Sequence, residues 1–510
     1  MDRRIEYYSF NKAKEGDKTM RLSKIVAGVE EFSVVCLEED WEREIVSLTH
    51  DSRTASVSSL FFCLTGGESD GHSHAREAIK HGAVAIVTER RLSVKVPQII
   101  VKDTRQALSL MSAAFYGNPA QDLQIVGITG TNGKTTTAAM LASVLEAAGK
   151  KVGVIGTLGV RYSGKTYPSA LTTPDPIVLH KTFSEMRAQG IEFVVMEVSA
   201  HALYYKKVEG VYFSACIFTN CTQDHLDFFK TMQAYKEAKM LLFQPKRCQI
   251  AILNGDDELS RDIKKSREEN TTVSYGVTNP ADAFAIITEE NLLGSECLLN
   301  IQGEVCRVSL ALSGKHNVYN ALAAATCALA LGIKAKSVTE GLSGLRMVDG
   351  RLEWVGGIHG AEIFVDFAHT PDGLDKSISA LKKHCKGRLV CLFGCGGNRD
   401  KGKRPLMGET AAKKCDFAVL TSDNPRYEDP MDILAAIEKG YRRFSLKYVV
   451  VQDRRAAIAY AIDCLTAGDV LLVAGKGGET YQEIMGIKYP FCDKDIIKNY
   501  IEEKRETPRN

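Results

Sequence analysis

The stretch LQIVGITGTNGKTTT, residues 123–137, runs without a break into AAMLASVLEAAGK, residues 138–150. The run LQIVGI has the apolar character of a buried strand. TTAAMLASVLEAAGK reads as a helix, with Gly149 where a helix C-terminal glycine belongs. Between them lies a glycine-rich turn, Gly127-Ile128-Thr129-Gly130-Thr131-Asn132-Gly133-Lys134-Thr135. Glycines at such a turn let backbone N–H groups face inward around phosphate oxygens. Lys134 adds a point charge, and the Thr135 hydroxyl can sit on magnesium. The strict phosphate-loop pattern wants glycine at position 128, where this chain has Ile128, so the loop is a variant. Strand, loop and helix together predict nucleotide binding through Gly130, Thr131, Asn132, Gly133, Lys134, Thr135 and Thr136. The loop alone does not say which reaction is catalysed.

The same rhythm extends outward. Downstream, VGVIGTLG, EFVVMEVS, SACIFTN and QIAILN read as buried strands, and a second series comes after them with IFVDFA, RLVCLFG, DFAVLTSD, KYVVVQD and DVLLVAG. Strands alternating with helices imply mostly parallel sheets with crossover connections, whose ligands bind beyond the carboxyl ends of the strands. Upstream, LFFCL, AVAIVT and VPQIIV with the helical SHAREAIKHGA suggest a smaller α/β unit, and Asn118-Pro119 reads as a linker. The expected fold class is therefore α/β with three domains. A small N-terminal α/β domain spans 20–118, and a central phosphate-loop domain on a mostly parallel sheet spans 119–347. A C-terminal Rossmann-like α/β domain spans 348–510. Residues 1–19 are polar and charged, and Met20 reads as a fresh start. The leader is expected to be either a disordered extension or the product of a mis-called start codon.

Bulk properties exclude several classes. Among 510 residues the formal net charge is only +2, with 45% hydrophobic and 25% charged. That balance lacks the excess of Lys and Arg that a broad nucleic-acid footprint needs. The 14 cysteines are scattered, without the spacing of a disulfide scaffold, and Cys391 and Cys395 have no matching second pair for zinc. Small buried thiols in a reducing compartment are the expectation. No apolar run approaches the length of a membrane span, and the charged N-terminus has no signal-peptide core. The expectation is a cytoplasmic protein with neither nucleic-acid nor membrane partner.

TGTNGKTTT is the form carried by the superfamily of Mur ligases and folylpolyglutamate synthetases. The resemblance covers nearly the whole chain after Met20 and is strongest to the Mur ligases that add the third amino acid of the peptidoglycan stem. It implies a reaction: ATP phosphorylates a carboxylate, and an amine attacks the acyl-phosphate. It also implies three domains, for the UDP-substrate, ATP and the incoming amino acid, in a chain expected to be monomeric.

Residue by residue, the resemblance makes Lys134, Glu197, His225 and Lys239 catalytic, with Thr135, Glu197 and His225 as magnesium ligands. Lys239 in AYKEAKMLLF resembles a lysine carbamylated by carbon dioxide, which would add a carboxylate-like head beside the metal. Asn317 resembles an adenine contact and Arg351 an arginine reaching the ATP phosphates. Asp366 resembles a ribose-binding acid, and His369 a neighbour of the nucleotide. Ser52, Arg53, Gly71 and His72, with Thr172, Thr173, Ser199 and Lys207, resemble the site for UDP-N-acetylmuramoyl-dipeptide. Lys207 stands where the family has arginine, which keeps the charge but loses the bidentate fork.

The motif Asp423-Asn424-Pro425-Arg426 resembles the signature of meso-diaminopimelate addition. Arg426 can clamp the distal carboxylate that distinguishes this acceptor from lysine. Arg399, Gly475 and Glu479 resemble further amino-acid contacts, Glu479 for an ammonium. Gly478 departs from the family's GKGHE, where histidine is usual. The rival readings are a lysine-adding ligase, a folylpolyglutamate synthetase and a non-catalytic nucleotide-binding relative.

Overall fold

The computed structural model describes residues 19–35, 38–66, 69–267 and 271–506. The expected leader therefore falls outside the described residues, except for Thr19. The chain divides into two compact units. The first comprises residues up to 122 together with 174–188 and 204–211, and the second comprises the remainder.

In the first unit, strands β1 (Phe32–Val35), β2 (Ser47–Thr49), β3 (Ser59–Phe62), β4 (Ala83–Thr88) and β5 (Gln98–Val101) form one sheet in the order β1-β5-β4-β3-β2. Only β1 is antiparallel to its neighbour. The helix Thr104–Phe115 starts on Asp103, whose carboxylate accepts from the N–H groups of Arg105 and Gln106, a cap that satisfies donors left free at a helix start. The helix Pro176–Ala188 belongs to this unit although its sequence lies between strands of the central sheet. Periodicity announces such a helix but not which sheet it will cover.

The second unit holds two sheets. The larger contains β6 (Gln124–Thr129), β7 (Val152–Gly156), β8 (Gly159–Tyr162), β9 (Lys165–Tyr167), β10 (Phe193–Glu197), β11 (Phe213–Phe218), β12 (Cys248–Asn254), β13 (Thr272–Gly276), β14 (Ala283–Asn291), β15 (Gly294–Ile301) and β16 (Glu304–Leu310). Their order is β9-β8-β7-β10-β6-β11-β12-β13-β14-β15-β16. The run from β7 to β14 is parallel, and antiparallel hairpins close both edges. The second sheet contains β17 (Glu353–Ile358), β18 (Ala361–Asp366), β19 (Leu389–Phe393), β20 (Phe417–Leu420), β21 (Tyr448–Val450) and β22 (Val470–Ala474), in the order β17-β18-β22-β19-β20-β21, all parallel except β17. A last hairpin pairs β23 (Tyr481–Ile484) with β24 (Ile487–Pro490).

Strands β6, β10 and β11 sit at the centre of the large sheet and are almost wholly buried, as parallel strands covered on both faces must be. The helix Lys134–Ala147 is buried on most sides against the alanine-rich helix Lys315–Ala330 and the helix Ala335–Gly344. Glycine makes the second approach possible: a Cβ at Gly341 would lie 2.4 Å from the Val144 Cα.

Two buried charges fix the ends of the second sheet. The Arg454 and Asp493 side chains are fully inaccessible, and Arg454 donates from Nε and Nη2 to the two carboxylate oxygens at 2.8 and 2.7 Å. The remaining guanidinium hydrogens reach Ala474 O at 3.0 Å and Ser422 O at 3.4 Å, just before the segments 423–426 and 475–479. Arg454→Ala leaves Asp493 buried and unpaired, so it should cost about 3–5 kcal/mol; urea unfolding read against the parent checks this. In the first unit, burial pushes His180 from the usual 6.5 down to about 4. Its neutral form is favoured in the fold, so stability is intact above pH 6.5 and is lost as pH falls toward 4. At about 1.4 kcal/mol per pH unit the loss reaches about 3 kcal/mol. The variant His180→Leu should flatten that part of a melting-temperature profile.

Candidate functional site

A cavity of about 640 Å³ opens at the carboxyl ends of β6, β10 and β11. Its floor is the turn 130–136. Gly130 has φ +149° and Gly133 has φ +90°, conformations that side chains resist. A Cβ at Gly130 would lie 1.9 Å from the Thr219 Oγ1, and one at Gly133 2.4 Å from the Asn320 Oδ1.

The end of β11 grips the turn. Asn220 accepts from Asn132 N at 3.0 Å and donates to Asn132 O at 3.0 Å, and its backbone oxygen accepts from Thr131 N at 2.8 Å. Thr219 Oγ1 donates to Asn132 O at 2.7 Å. Lys134 folds back over the turn, donating to Gly130 O at 2.7 Å and Thr131 O at 3.0 Å. Burial pushes its ammonium down to about 8. Thr135 and Thr136 are buried at the helix start.

Glu197, the last residue of β10, is buried on the cavity wall. It accepts from Thr157 N at 2.9 Å and Thr157 Oγ1 at 3.1 Å. Thr157 Oγ1 lies 3.1 Å from Thr172 Oγ1, while Thr173 Oγ1 donates to Glu197 O at 3.0 Å and accepts from Ser199 N at 3.0 Å. Thr172, Thr173 and Ser199 thus form one chain of contacts around Glu197.

His225 adopts φ +56° and lies with its Nε2 3.3 Å from Asp224. Burial pushes its imidazolium down to about 3, so the ring is neutral. Asp224, not singled out in the sequence, is the buried hub of this wall. Lys403 Nζ lies 3.5 Å away and His369 Nε2 3.8 Å away. Burial opposes the Asp224 charge, but Lys403, His225 and His369 outweigh it and hold the carboxyl well below its usual range. An acid adjoining His225 in TQDHLDF was the available signal. Lys239 lies outside the cavity lining, its Nζ 4.1 Å over the Tyr235 ring, and burial pushes it down to about 8.

The second sheet supplies the opposite wall. Arg351 stacks on Phe367 at 4.5 Å and donates from Nη2 to Thr135 Oγ1 at 2.8 Å. Asn132 Nδ2 donates to Asp372 at 2.7 Å. Asp366 lines the cavity, but its oxygens already accept from Leu352 N at 2.6 Å, Ala368 N at 2.9 Å and Ser377 Oγ at 2.9 Å. Asn317 is likewise held, donating to Ser313 O at 2.8 Å and accepting from Asn320 at 3.1 Å. Arg399 also lines the cavity.

The Asp423-Asn424-Pro425-Arg426 segment lies beyond that cavity. Asn424 donates to Glu479 at 2.9 Å and accepts from Lys476 at 3.0 Å. The fully buried Lys476 side chain also pairs with Glu479 at 2.9 Å. Gly475 makes room for the Asp423 carboxylate, 2.5 Å from where its Cβ would stand. Arg426 donates to Gly397 O at 2.9 Å and to Glu483 at 3.2 Å. A Cβ at Gly396 would lie 2.9 Å from Arg426 Nη1 and 3.8 Å from Arg399 Cγ. The two arginines therefore flank one glycine, and burial together with Arg426 lowers the Arg399 pKa. At Gly478 a Cβ would lie 3.0 Å from the Asp349 carboxylate, which pairs with Lys494.

In the first unit, Ser52 donates to Glu77 at 2.7 Å, and Arg53 projects into solvent while holding Asp51 at 2.7 Å. Gly71 packs where a Cβ would meet Leu64 N and O at 2.7 Å. His72 is buried; its Nε2 accepts from Glu89 N at 3.0 Å, so Nδ1 donates to Asp70 at 2.6 Å. That tautomer makes His72 a brace for its own turn. Lys207 pairs with Asp175 at 2.6 Å.

A phosphate-loop turn at the head of a parallel sheet, faced by the arginines of a second α/β sheet, defines the class: an α/β protein built to handle a phosphorylated ligand. Three family descriptions match the chain: "Mur ligase family, catalytic domain" over residues 44–116, "Mur ligase middle domain" over 128–328, and "Mur ligase, glutamate ligase domain" over 350–477. A UDP-N-acetylmuramoyl-L-alanyl-D-glutamate--2,6-diaminopimelate ligase of Geobacillus thermodenitrificans is 42% identical over 469 residues, 91% of this chain and 96% of that one. The ligase 1 of that name from Clostridium acetobutylicum is 42% identical, covering 95% of this chain and 100% of its own. A solved structure of a ligase of that name superposes with a TM-score of 0.68 at 31% identity, over 96% of this chain and 100% of the other. The chain belongs to the Mur ligase family.

Gly156 offers a test of the Glu197 geometry. A Cβ there would lie 2.3 Å from Glu197 Oε1, so Gly156→Ala must displace the carboxylate. ATP turnover should fall roughly tenfold to a hundredfold, as misplacement of about 1 Å at a reacting centre can cause. Gly344→Ala, where a Cβ meets nothing within 4 Å, should leave it within about twofold of the parent. Equal rates for the two variants would remove Glu197 from the site.

Proposed function

We propose that the chain is an ATP-dependent ligase of the cytoplasm, acting as a monomer. It joins meso-2,6-diaminopimelate to UDP-N-acetylmuramoyl-L-alanyl-D-glutamate in peptidoglycan precursor synthesis. The names of relatives at 40–42% identity over most of both chains support the substrates. The observation that carries the reading is one cavity lined by both the phosphate-loop turn and Arg399, with Arg426 beside Arg399 against Gly396.

In this reading the free N–H groups at the start of the helix Lys134–Ala147 and the Lys134 ammonium hold the ATP phosphates. Arg351 adds charge from the opposite wall and stabilises the negative charge that develops during phosphoryl transfer. Asn317, Asp366 and His369 lie toward the nucleoside. The γ-phosphoryl passes to the D-glutamate carboxylate, the bond to ADP breaks, and the acceptor amine attacks the resulting acyl-phosphate carbon. Phosphate departs as the amide forms, and the amine proton is lost to solvent or a neighbouring base.

Thr135 and Glu197 supply the hard oxygen donors that Mg²⁺ prefers, and the cavity leaves room for the waters it retains. The neutral His225 imidazole can lend a further lone pair. Among the described residues no three His, Cys, Asp or Glu side chains converge as a metal cage. Bound there, Mg²⁺ would screen the repulsion between ATP and the carboxylate. The lowered ammonium pKa of Lys239 favours the neutral amine, which adds to carbon dioxide with loss of a proton to give a carbamate.

In the first unit Ser52, Arg53, Gly71, His72 and Lys207, and in the second Thr172, Thr173 and Ser199, are assigned to the UDP-substrate. The segment Asp423–Arg426 with Arg399, Gly475 and Glu479 takes the amino acid.

Phosphate release should be measured with UDP-N-acetylmuramoyl-L-alanyl-D-glutamate, ATP and magnesium, comparing meso-diaminopimelate with L-lysine. Release with meso-diaminopimelate at least about a hundredfold more efficient is expected, because lysine lacks the carboxylate that pairs with a guanidinium. Equal efficiency would overturn the assignment of Arg426, and release with neither would overturn the reaction.

A further inference from the structure

Resting on the functional reading above, we propose that Glu483 is a positioning residue for the acceptor subsite. It holds the guanidinium of Arg426 by one edge so that the other edge faces the carboxylate of the incoming amino acid. Arg426 presents five N–H donors in a planar fork. Its Nε donates to Glu483 Oε2 at 3.2 Å, and Nη1 donates to Gly397 O at 2.9 Å. Those two contacts fix the plane of the fork. They leave an Nη edge for a bidentate carboxylate.

The hairpin β23–β24 is built to deliver that acid. Its turn is the two-residue pair Met485-Gly486, with φ +49° and φ +76°, the signature of a tight primed turn that matches strand twist. The strand then docks alongside Arg426 through the main chain. Arg426 N donates to Glu483 O at 3.0 Å, and Met485 N donates to Arg426 O at 2.7 Å. Arg426 itself sits at φ +53°, a left-handed conformation uncommon for a residue with a side chain. The backbone bonds from the hairpin hold it there, and the Glu483 side chain orients the guanidinium at the far end. Glu479, by comparison, already has Asn424 and the buried Lys476 as partners.

Charge supports the same assignment. Arg399 and Arg426 flank Gly396, so without Glu483 two guanidinium groups would repel across one glycine. Glu483 pairs with Arg426 directly and, with Asp227 and Asp224, offsets that repulsion at Arg399. The side chains of Arg426 and Glu483 are 18% and 21% exposed, dry enough for the pairing to matter and open enough for a ligand to reach it.

The test is steady-state kinetics of the full chain with Glu483→Ala and Glu483→Gln, using meso-diaminopimelate as the varied substrate. The main-chain bonds to Arg426 survive both changes, and an unaltered melting temperature verifies that the hairpin stays docked. Glu483→Ala should raise the KM for meso-diaminopimelate at least about tenfold, with kcat and the KM for ATP moving much less. Glu483→Gln keeps an acceptor for Nε and should restore KM to within about threefold of the parent. An alanine variant whose KM is unchanged or lower overturns the proposal, a lower value meaning that Glu483 competes with the substrate. A parent enzyme that uses L-lysine as well as meso-diaminopimelate overturns the functional reading, and this proposal with it.

Discussion

The grip of the β11 end on the phosphate-loop turn determines what the rest of the site can do. Asn220 takes the N–H groups of Thr131 and Asn132, one through its backbone oxygen and one through its side chain. With those two donors satisfied, the N–H groups at the start of the helix Lys134–Ala147, where no intrahelical partner exists, are left for a ligand. The approach is possible because Gly130 has no Cβ to strike Thr219. Thr219 and Asn220 are in turn held by Asn254, whose Nδ2 donates to Thr219 O at 2.6 Å. Three adjacent parallel strands therefore cooperate to hold one loop, and the helix behind it is locked by close packing at Gly341.

Around that loop charged groups of both signs converge. Lys134, Lys315, Arg351, Lys376 and Arg399 line the cavity together with Glu197, Asp224, Asp256, Asp257 and Asp366, while Lys403 and Lys239 act on Asp224 and Asp257 from outside that lining. Burial lowers the pKa of Lys134 and Lys239 because the charged forms lack enough compensation. An anion beside Lys134 would supply countercharge to that ammonium.

The sequence announced the parts whose physics is local. The strand–turn–helix at 123–150 is read from apolar periodicity and glycine. The strands that carry Glu197, Asp366 and Asp423 at or just beyond their ends are legible from the same alternation. The partners of those residues were illegible, because they arrive from far along the chain. Asp224 gains its role from Lys403 and His369, and Arg426 gains its partner from a hairpin 57 residues on. Periodicity also could not say that 174–188 packs with the first unit. His72, assigned to the UDP-substrate, has both ring nitrogens occupied, by Asp70 in its own turn and by Glu89 N, partners that its short motif could not show.

The substitution at 478 acquires a reason in the same terms. Gly350 lies so near the 477–478 peptide that a Cβ there would be 1.9 Å from Gly478 N, and Gly477 in turn lies against Phe367. Phe367 is the ring on which Arg351 stacks. The turn that sends Arg351 to Thr135 is therefore packed directly on the turn that carries Glu479. A histidine at 478 would meet Asp349, whose carboxylate is paired with Lys494, while Lys494 also reaches Glu353 at 3.2 Å. In this chain the lysine of the C-terminal helix balances the acid that such a ring would face. Glycines at 350 and 477 therefore keep the two turns in direct contact, and any side chain at either position would push apart the turn that carries Arg351 and the turn that carries Glu479.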